Sequence, residues 1–537
     1  MKVESICIVG GGSSGWMTAA LLSKEHPDIE MCLIESPTIK PIGVGESTLA
    51  HFNRYLNRLG LKDEDWMRQC NATYKASIRF KNFRENKGEA FQYPFGEWGP
   101  PDDEIADHLT RFFELQCVYG RKIYPPEEFA RFCNRQTYMA DAGKMPMEIP
   151  GPFGESKYEK YDPDNDLSYH LNADKFGEYL RDNIAVPNGV HHLKGDVLNV
   201  IKKPDGSIDQ ICTTQGATIG ADIFIDCTGF RSLLLEQHMG SEFVSYAPML
   251  FNDRALTTHI PYIDKEKQMV PYTDCVAMDN GWSYHIPLWN SIGSGYVYSS
   301  KYCNECEAEL EYRALLAETY SPEIAEECQL MPIKIKHGKH KQAWVKNVIG
   351  IGLAFGFLEP LESTGLMTTH ANILVLSELF SQRKGLATKF DRDTYNFAAD
   401  KIIESMKNFI AMHYALSSRQ DTPYWVDCTE TIEFDIPLCS NPKSTIMSLN
   451  DYITFIDQLE QDMYNTEVIG AGVCYIAAGM NIQPISPHLF KEKSSPDRDA
   501  LIKEMHGMYQ QERESMEKWI QTQPTHYQYL RDNIHVV

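Results

Sequence analysis

The chain begins with a short apolar run, ICIVG, that leads directly into the glycine-rich stretch GGGSSGW and then into a helix-like segment. Gly10, Gly12 and Gly15 fit the spacing G-x-G-x-x-G, which permits a tight turn, close approach of backbone to a pyrophosphate, and close helix–strand packing. A second strand-like run, IEMCLIES, ends in Glu35, 20 residues after Gly15, where an acid would accept the ribose hydroxyls of an adenine dinucleotide. These features predict a βαβ unit of an α/β dinucleotide-binding fold.

Two later stretches help to choose between FAD and NAD. ADIFIDCTGF (221–230) and NVIGIGLAFGF (347–357) each read as a strand that ends in small residues, which permit close approach to a cofactor. Large flavoproteins of the glutathione-reductase type complete their FAD sites with such segments, whereas an NAD-dependent dehydrogenase does not need them. The sequence therefore favours FAD. It has no second G-x-G-x-x-G for a nicotinamide, so the electrons are expected to come from elsewhere.

Composition excludes several classes of partner and predicts the compartment. The formal net charge of −23 argues against nucleic acid and anionic membrane, which both need concentrated positive charge. No apolar run approaches the roughly 18 to 20 residues of a membrane span, and the first strand leaves no room for a signal peptide. Fourteen cysteines without regular spacing are typical of reduced core residues. We expect a cytoplasmic protein without a metal site.

Seven stretches then occur in an order that matches a known family. They are GGGSSGW, GVGEST, ATYKASIRF, GWSYHIPL, GYVYSS, EPLESTG and DTPYW. In these motifs the chain resembles the flavin-dependent halogenases of the tryptophan halogenase family, from residue 1 to about residue 430. The resemblance implies that FAD, used as FADH2, reacts with O2 and that a halide ion is oxidised to hypohalous acid. It also implies a separate NAD(P)H-dependent flavin reductase as a partner.

The resemblance also implies a fold, the FAD-binding, glutathione-reductase-like fold of flavin monooxygenases, with a mainly helical substrate module. We place the FAD-binding halogenase module at 1–400, with an inserted substrate-contacting segment at about 82–155, and the helical module at 401–537. The alternation around 333–347 predicts a hairpin. Whether the protein is a homo-oligomer is left open.

The resemblance assigns two catalytic residues. Lys75 matches the lysine that holds or carries the electrophilic halogen, although by residue type alone Arg79 and Lys81 compete with it and most lysines only solvate a surface. Glu362 matches the carboxylate that stabilises the cationic intermediate of electrophilic substitution and takes up its proton. Glu359 has no such counterpart and is expected to be structural.

The resemblance also assigns the binding residues. Backbone amides of Thr364 and Gly365 would bind halide beside the flavin, and Ser363 would help to hold Glu362. The predicted FAD-binding residues are Gly10, Gly12, Ser13, Ser14, Gly15, Glu35, Gly43, Gly45, Glu46, Ser47, Val197, Gly352 and Leu353.

One departure from the family lies in the motif thought to keep substrate away from the flavin. Most members carry Trp-x-Trp-x-Ile-Pro, and this chain has Trp282, Tyr284, Ile286 and Pro287 at those positions. A tyrosine still blocks the space but has less bulk and adds a hydroxyl. Core packing of an aromatic strand is the simpler alternative.

A second departure concerns the substrate. Tryptophan-specific members have a His-x-Phe-Gly stretch where this chain has Tyr93, Pro94 and Phe95, and two tyrosines before a cysteine where it has Gly472 and Val473. Losing two aromatic clamps would leave a wider or differently shaped pocket.

We therefore expect halogenation of an electron-rich aromatic, indole or phenol, with bromide or iodide used at least as well as chloride. A flavin-dependent aromatic hydroxylase of the same fold and a non-catalytic flavin-binding protein are the alternatives.

Overall fold

The computed structural model describes residues 2–39, 45–96, 105–146, 148–150, 158–160, 167–432, 472–482 and 496–536. The strands are β1 Ser5–Val9, β2 Glu30–Glu35, β3 Glu46–Ser47, β4 Thr73–Lys75, β5 Ser77–Lys81, β6 Ala90–Pro94, β7 Glu148–Pro150, β8 Tyr158–Lys160, β9 Ser168–Leu171, β10 His191–Lys194, β11 Val197–Lys202, β12 Ile208–Thr213, β13 Thr218–Gly220, β14 Ile223–Asp226, β15 Phe243–Ser245, β16 Arg254–Ile260, β17 Tyr272–Ala277, β18 Gly281–Pro287, β19 Ile292–Tyr298, β20 Met331–Lys334, β21 Gly338–His340, β22 Trp344–Val345, β23 Val348–Gly350 and β24 Gly356–Phe357.

Helices follow or separate these strands. They are α1 Ser13–Glu25, α2 Phe52–Leu59, α3 Asp63–Trp66, α4 Ile105–Tyr119, α5 Phe129–Cys133, α6 Gln136–Ala142, α7 Ala173–Leu180, α8 Lys265–Gln268, α9 Glu305–Thr319, α10 Pro322–Glu327, α11 Thr364–Gln382, α12 Lys389–Ala415, α13 Pro423–Thr431, α14 Gly472–Gly479, α15 Pro496–Gln521 and α16 His526–Asn533. Short 3-10 turns at Gly352–Ala354 and Pro360–Glu362 also matter for the site. None of the helices within the described ranges is long and apolar enough to cross a membrane.

The chain divides into two compact units, and each is assembled from three separate stretches of sequence. The first unit comprises Met1–Ala72, His170–Asp253 and Lys334–Lys407, and the second comprises Thr73–Tyr169, Arg254–Ile333 and Asn408–Val537. These are units of packing. The division of the chain into an FAD module and a substrate module remains a prediction about binding.

A six-stranded sheet in the order β10-β2-β1-β14-β23-β22 forms the centre of the first unit. Its first five strands are parallel and only β22 is antiparallel. The middle of β1 is buried on both faces, as expected for a parallel sheet covered by helices. The stretches 221–230 and 347–357 supply β14, which pairs with β1, and β23, which pairs with β14, and the prediction of a mixed α/β fold is confirmed.

A seven-stranded sheet in the order β20-β16-β19-β18-β17-β5-β6 forms the centre of the second unit. Strands β17 and β5 run parallel, while the pairs of β18 and β19 with their neighbours are antiparallel. Every residue of β18 and β19 is buried. Helix α9 packs on one side of this sheet through Tyr312 and Leu316, which join Tyr296 and Tyr298 of β19 in an aromatic core.

The predicted hairpin at 333–347 is wrong. Strand β20 belongs to the seven-stranded sheet, whereas β21 pairs with β15 and β24 in a separate three-stranded sheet. An alternating pattern predicts strands but not which strands pair. The pairing depends on packing between segments that are distant in sequence.

Candidate active site

The glycine turn of the first unit connects β1 to α1. Gly10 has φ +119°, and a Cβ atom there would lie 2.2 Å from the carbonyl oxygen of Cys227. A Cβ atom on Gly15 would lie 1.9 Å from the carbonyl oxygen of Gly10. At Gly12, by contrast, no described atom comes within 4 Å of that position. Gly10 and Gly15 thus permit close packing, and Gly12 leaves the backbone open to a ligand.

This turn has the geometry that a pyrophosphate requires. Gly12 is the N-cap of α1 in an extended conformation, and the first amides of a helix have no acceptor within the helix. Ser13 and Ser14 belong to this first turn, and the hydroxyl of Ser13 donates to the carbonyl of Ala173 at 3.3 Å. The first turn carries no acidic residue that would repel phosphate. The residues present therefore fit an adenine dinucleotide.

Glu35 lies at the carboxyl end of β2, immediately beside the turn. A Cβ atom on Gly11 would lie 2.3 Å from Cγ of Glu35. Oε2 of Glu35 is 2.6 Å from Nε2 of His192, whose ring also meets Trp16 edge-on with centroids 4.9 Å apart. His192 was missed at the sequence level because it reaches Glu35 only through the pairing of β10 with β2.

The other predicted cofactor residues of the first unit lie in three places. Gly352 has φ +65°, and its Cβ position is 2.9 Å from Cβ of Ser14, so the turn that also contains Leu353 lies against α1. Gly45 has φ +80° before β3. Val197 begins β11 and is half-buried, and Gly43 lies outside the described residues.

The segment EPLESTG forms a tight entry to helix α11. Ser363 takes the left-handed conformation with φ +57° between the 3-10 turn and Thr364, the first residue of α11. The hydroxyl of Ser363 donates to that of Ser47 at 3.0 Å, and the hydroxyl of Thr364 donates to the carbonyl of Glu359 at 3.0 Å. The amides of Thr364 and Gly365 therefore lie at the positive end of a 19-residue helix, where anions are stabilised.

Both glutamates of this segment are completely buried, but their surroundings differ. Oε2 of Glu359 accepts a hydrogen bond of 2.8 Å from the side-chain amide of Asn252, which fits a structural role. Glu362 ends the 3-10 turn directly before the start of α11. The backbone position from which its carboxylate extends is thus set by a short turn.

Glu46 lies beside the same helix start. Strand β3 pairs with β9, with Glu46 opposite Leu171 and Ser47 opposite His170. A Cβ atom on Gly365 would lie 3.7 Å from Oε2 of Glu46. Burial, and to a smaller extent the negative charge of Asp174, raise the pKa of the Glu46 carboxyl to about 7.

In the second unit, Lys75 is the last residue of β4 and is completely buried. Its Nζ lies 4.9 Å from the centroid of the Phe95 ring, within the range of a cation–π interaction. Arg79 instead donates two hydrogen bonds, at 2.7 and 2.6 Å, to the carboxylate of Asp274. Lys81 is only half-buried. Of the three cations that compete in this stretch, Lys75 alone is fully withdrawn from solvent.

Strand β18 carries the aromatic motif. Trp282, Tyr284 and Ile286 alternate along it and are all buried, as is Pro287. A Cβ atom on Gly295, which is directly opposite on β19, would lie 2.6 to 2.8 Å from three atoms of the Tyr284 side chain. Gly295 therefore leaves the room for this ring, a relation that only the pairing of the strands reveals.

The stretch YPFGEW contributes the end of β6 and the residue after it. Tyr93, Pro94 and Phe95 are buried, and the rings of Tyr93 and Phe95 meet edge-on with centroids 5.7 Å apart. A Cβ atom on Gly472 would lie 2.7 Å from the hydroxyl oxygen of Tyr93 and 2.9 Å from Cζ of Phe409. Protein side chains thus fill the space beside Gly472, so this glycine does not by itself widen a pocket.

A profile of the tryptophan halogenase family matches residues 5–467, which is most of the chain. The chain belongs to the tryptophan halogenase family. This confirms the resemblance based on the seven motifs, and the prediction of a flavin-dependent halogenase is confirmed at the level of the family.

Individual relatives extend over most of the chain as well. The tryptophan 6-halogenase SttH of Streptomyces toxytricini is 34% identical over 79% of this chain and 80% of its own. The tryptophan 7-halogenase RebH of Lentzea aerocolonigenes is 32% identical over 79% and 78%. Among solved structures, that of VirX1 in its apo form is 43% identical with a TM-score of 0.86 and covers 100% of this chain and 99% of its own.

Proposed function

We propose that this protein halogenates an electron-rich aromatic compound of the indole or phenol type, using FADH2, O2 and a halide through hypohalous acid. The observation that carries the proposal is the complete burial of Lys75 against the ring of Phe95. A lysine withdrawn from water in this way does not solvate a surface, and here it would act as a directed donor or a nucleophile.

The glycine turn, the first turn of α1 and Glu35 would hold FAD. When bound, reduced FAD together with O2 would supply the oxidising power that converts a halide into hypohalous acid. The pyrophosphate would lie against the open backbone at Gly12 and the amides of Ser13 and Ser14. His192 would orient the Glu35 carboxylate toward the ribose through the 2.6 Å contact between them.

The amides of Thr364 and Gly365 would bind the halide. Backbone amides suit this ion because their N–H groups stabilise an anion. Unlike acidic or cationic side chains, they neither give up a proton nor carry a full positive charge. The hydrogen bond from Ser363 to Ser47 fixes the entry to α11, so the direction of these amides is set before the ion arrives.

Lys75 would hold the hypohalous acid or carry its halogen as a haloamine. Glu362 would stabilise the cationic ring and take up the proton that the ring carbon loses. Both residues are completely buried, and a dry surrounding strengthens both interactions.

Aromatic side chains of the second unit suit a planar aromatic substrate, and free tryptophan is disfavoured because the chain departs from the tryptophan-specific pattern. Several relatives are named tryptophan halogenases, but Tyr93 stands where tryptophan-specific members have a histidine. Trp282 and Tyr284 would separate the substrate from the flavin and so prevent direct hydroxylation. Bromide or iodide would be used at least as well as chloride, because larger halides lose their hydration and are oxidised more readily.

A separate NAD(P)H-dependent flavin reductase would supply FADH2, and the cytoplasm is the compartment that this cofactor supply favours. The proposal requires neither nucleic acid nor membrane, and it leaves the oligomeric state open.

Mass spectrometry of products tests the proposal. The protein is incubated with FAD, NADH, a general flavin reductase, bromide and a panel of indoles and phenols, in parallel with Lys75→Ala and with Lys81→Ala as a matched control. We expect products in which bromine replaces hydrogen from the wild type and from Lys81→Ala, and a loss of about 100-fold or more in Lys75→Ala.

Each alternative function has its own outcome. Oxygenated products that persist in Lys75→Ala would identify a hydroxylase. FAD binding without any product from the panel would favour the non-catalytic alternative. Turnover with chloride, bromide and iodide at equal concentration tests the halide order, and a clear preference for chloride would contradict it.

A further inference from the structure

We propose that Glu46 controls halide binding, because its carboxylate competes with the halide for the start of helix α11 and admits it when protonated. This inference rests on the proposed function, since it concerns the same halide site. It adds a residue whose predicted role was cofactor binding alone.

The carboxylate of Glu46 lies next to the proposed binding site of the halide. Oε2 of Glu46 lies 3.7 Å from the position a Cβ atom would take on Gly365, the second residue of α11. Its neighbour Ser47 is bound to Ser363, the residue that caps this helix. Strand β3 is therefore fixed against the helix start, and the Glu46 carboxylate lies next to Gly365.

Burial, and to a smaller extent a neighbouring charge, favour the neutral form of Glu46. A helix N-terminus ordinarily stabilises a nearby carboxylate, yet burial and the charge of Asp174 together raise the pKa of the Glu46 carboxyl to about 7. Burial and the charge of Glu178 raise the pKa of Asp174 as well.

Other charged or titratable groups lie on the elements that pack against β3 and α11, among them His370 on α11 and His51 and Arg54 at the start of α2. Lys175 and Glu178 follow Asp174 on α7, and both are exposed. His170 faces Ser47 across β3 and β9, and Glu362 precedes α11. Of these, Asp174 is the group whose charge acts on Glu46.

This arrangement links halide binding to one proton. Below the pKa of Glu46 the carboxyl is neutral, and its O–H can donate to the halide. Above that pKa the carboxylate repels the halide and occupies its positive environment. The dissociation constant for halide should therefore rise by up to about tenfold per pH unit once Glu46 ionises.

The test measures bromide binding calorimetrically to protein loaded with oxidised FAD, from about pH 6 to about pH 9 around the shifted pKa. The variants are Glu46→Gln, which keeps the side chain neutral, and Asp174→Asn, which removes the neighbouring charge. Glu178→Gln, one turn further along α7, is the matched control with the same change in net charge. FAD binding by each variant is measured first.

In the wild type and in Glu178→Gln we expect bromide affinity to fall as the pH rises above about 7. Glu46→Gln should bind bromide with little dependence on pH, and Asp174→Asn should shift the fall to lower pH. A wild-type affinity that does not change over this range, or an unchanged profile in Glu46→Gln, would overturn the inference.

If Glu46→Gln does not bind FAD, the direction of the shift in Asp174→Asn decides the matter. If the wild type halogenates aromatics but its bromide affinity does not depend on pH, only this inference fails. If it does not halogenate at all, the proposed function fails first.

Discussion

The two units build their sites by different means. In the first unit, glycines, helix starts and a left-handed residue place backbone amides where a dinucleotide and an anion would bind. In the second unit, the proposed site consists of side chains instead: Lys75 above Phe95, and Trp282 and Tyr284 along a fully buried strand. The two proposed sites should therefore be sensitive to different kinds of substitution. A backbone site depends on the absence of side-chain atoms, whereas a side-chain site depends on their identity.

The largest effect is expected where an added methyl group meets backbone. Gly10→Ala would place Cβ 2.2 Å from the carbonyl oxygen of Cys227 at φ +119°, and we expect the free energy of unfolding to fall by about 4 kcal/mol or more. Gly12→Ala meets no described atom within 4 Å and has extended dihedrals, so it should fold normally but bind FAD more weakly. Thermal unfolding and FAD titration of both variants would show this; equal losses of stability would contradict it.

A second contrast concerns one buried histidine in each unit. Burial lowers the pKa of His370 to about 3 and that of His285 to about 4, from the usual 6.5. The unfolded chain therefore binds more protons below pH 6.5, and stability should fall as the pH falls through this range, by up to about 3 kcal/mol for His285 at pH 4.

The variants separate the two histidines at neutral pH. The His285 ring is 2.9 Å from the hydroxyl of half-buried Tyr320 and 3.2 Å from that of buried Ser294, so His285→Leu should cost about 1–3 kcal/mol at pH 7.5 by removing this partner from both hydroxyls. Neither ring nitrogen of His370 has a hydrogen-bond partner within the described ranges. The free energy of unfolding of His370→Leu should therefore equal that of the wild type at pH 7.5 and exceed it at pH 5. Denaturant titrations at both pH values measure this, and a loss in His370→Leu at pH 7.5 would refute it.

A glycine of the second unit gives a smaller and more selective effect. A Cβ atom on Gly472 meets the ends of two rings, Tyr93 and Phe409, rather than backbone. We expect Gly472→Ala to cost about 1–2 kcal/mol, since side chains can shift, and to alter the ratio of kcat/KM for indole over phenol. Gly507→Ala, which meets no described atom within 4 Å on α15, is the control and should leave that ratio unchanged. A destabilisation as large as that of Gly10→Ala would remove the distinction between the two kinds of site.

The smallest effect is expected at the surface of the second unit. Lys301 pairs with Asp427 at 2.7 Å, but its side chain is 65% exposed. Lys301→Ala should change the free energy of unfolding by less than about 1 kcal/mol. Denaturant titration at low and high salt would measure this change. A loss of unfolding free energy above about 1 kcal/mol that does not depend on salt would show that the pair is part of a tighter network.

The sequence predicted local features of the site better than distant ones. The spacing of Gly10, Gly12 and Gly15 is a property of one turn, and the structure shows the close contacts that this spacing allows. The contact of His192 with Glu35 gave no signal, because 157 residues separate them. The 333–347 hairpin failed for the same reason, since each strand pairs with a partner outside the stretch.

The family, the α/β fold and the motifs that mark the site could be predicted from the sequence, because turn geometry and strand–helix periodicity are local and follow directly from residue types. The assembly of each unit from three stretches of sequence is visible only in the structure. The tertiary structure also decided that Lys75 is fully buried, that Tyr93 fills the space beside Gly472, and that Glu46 lies next to the start of α11. The physical reason is that burial and pKa depend on groups brought together by packing, and no local pattern encodes which distant groups those will be.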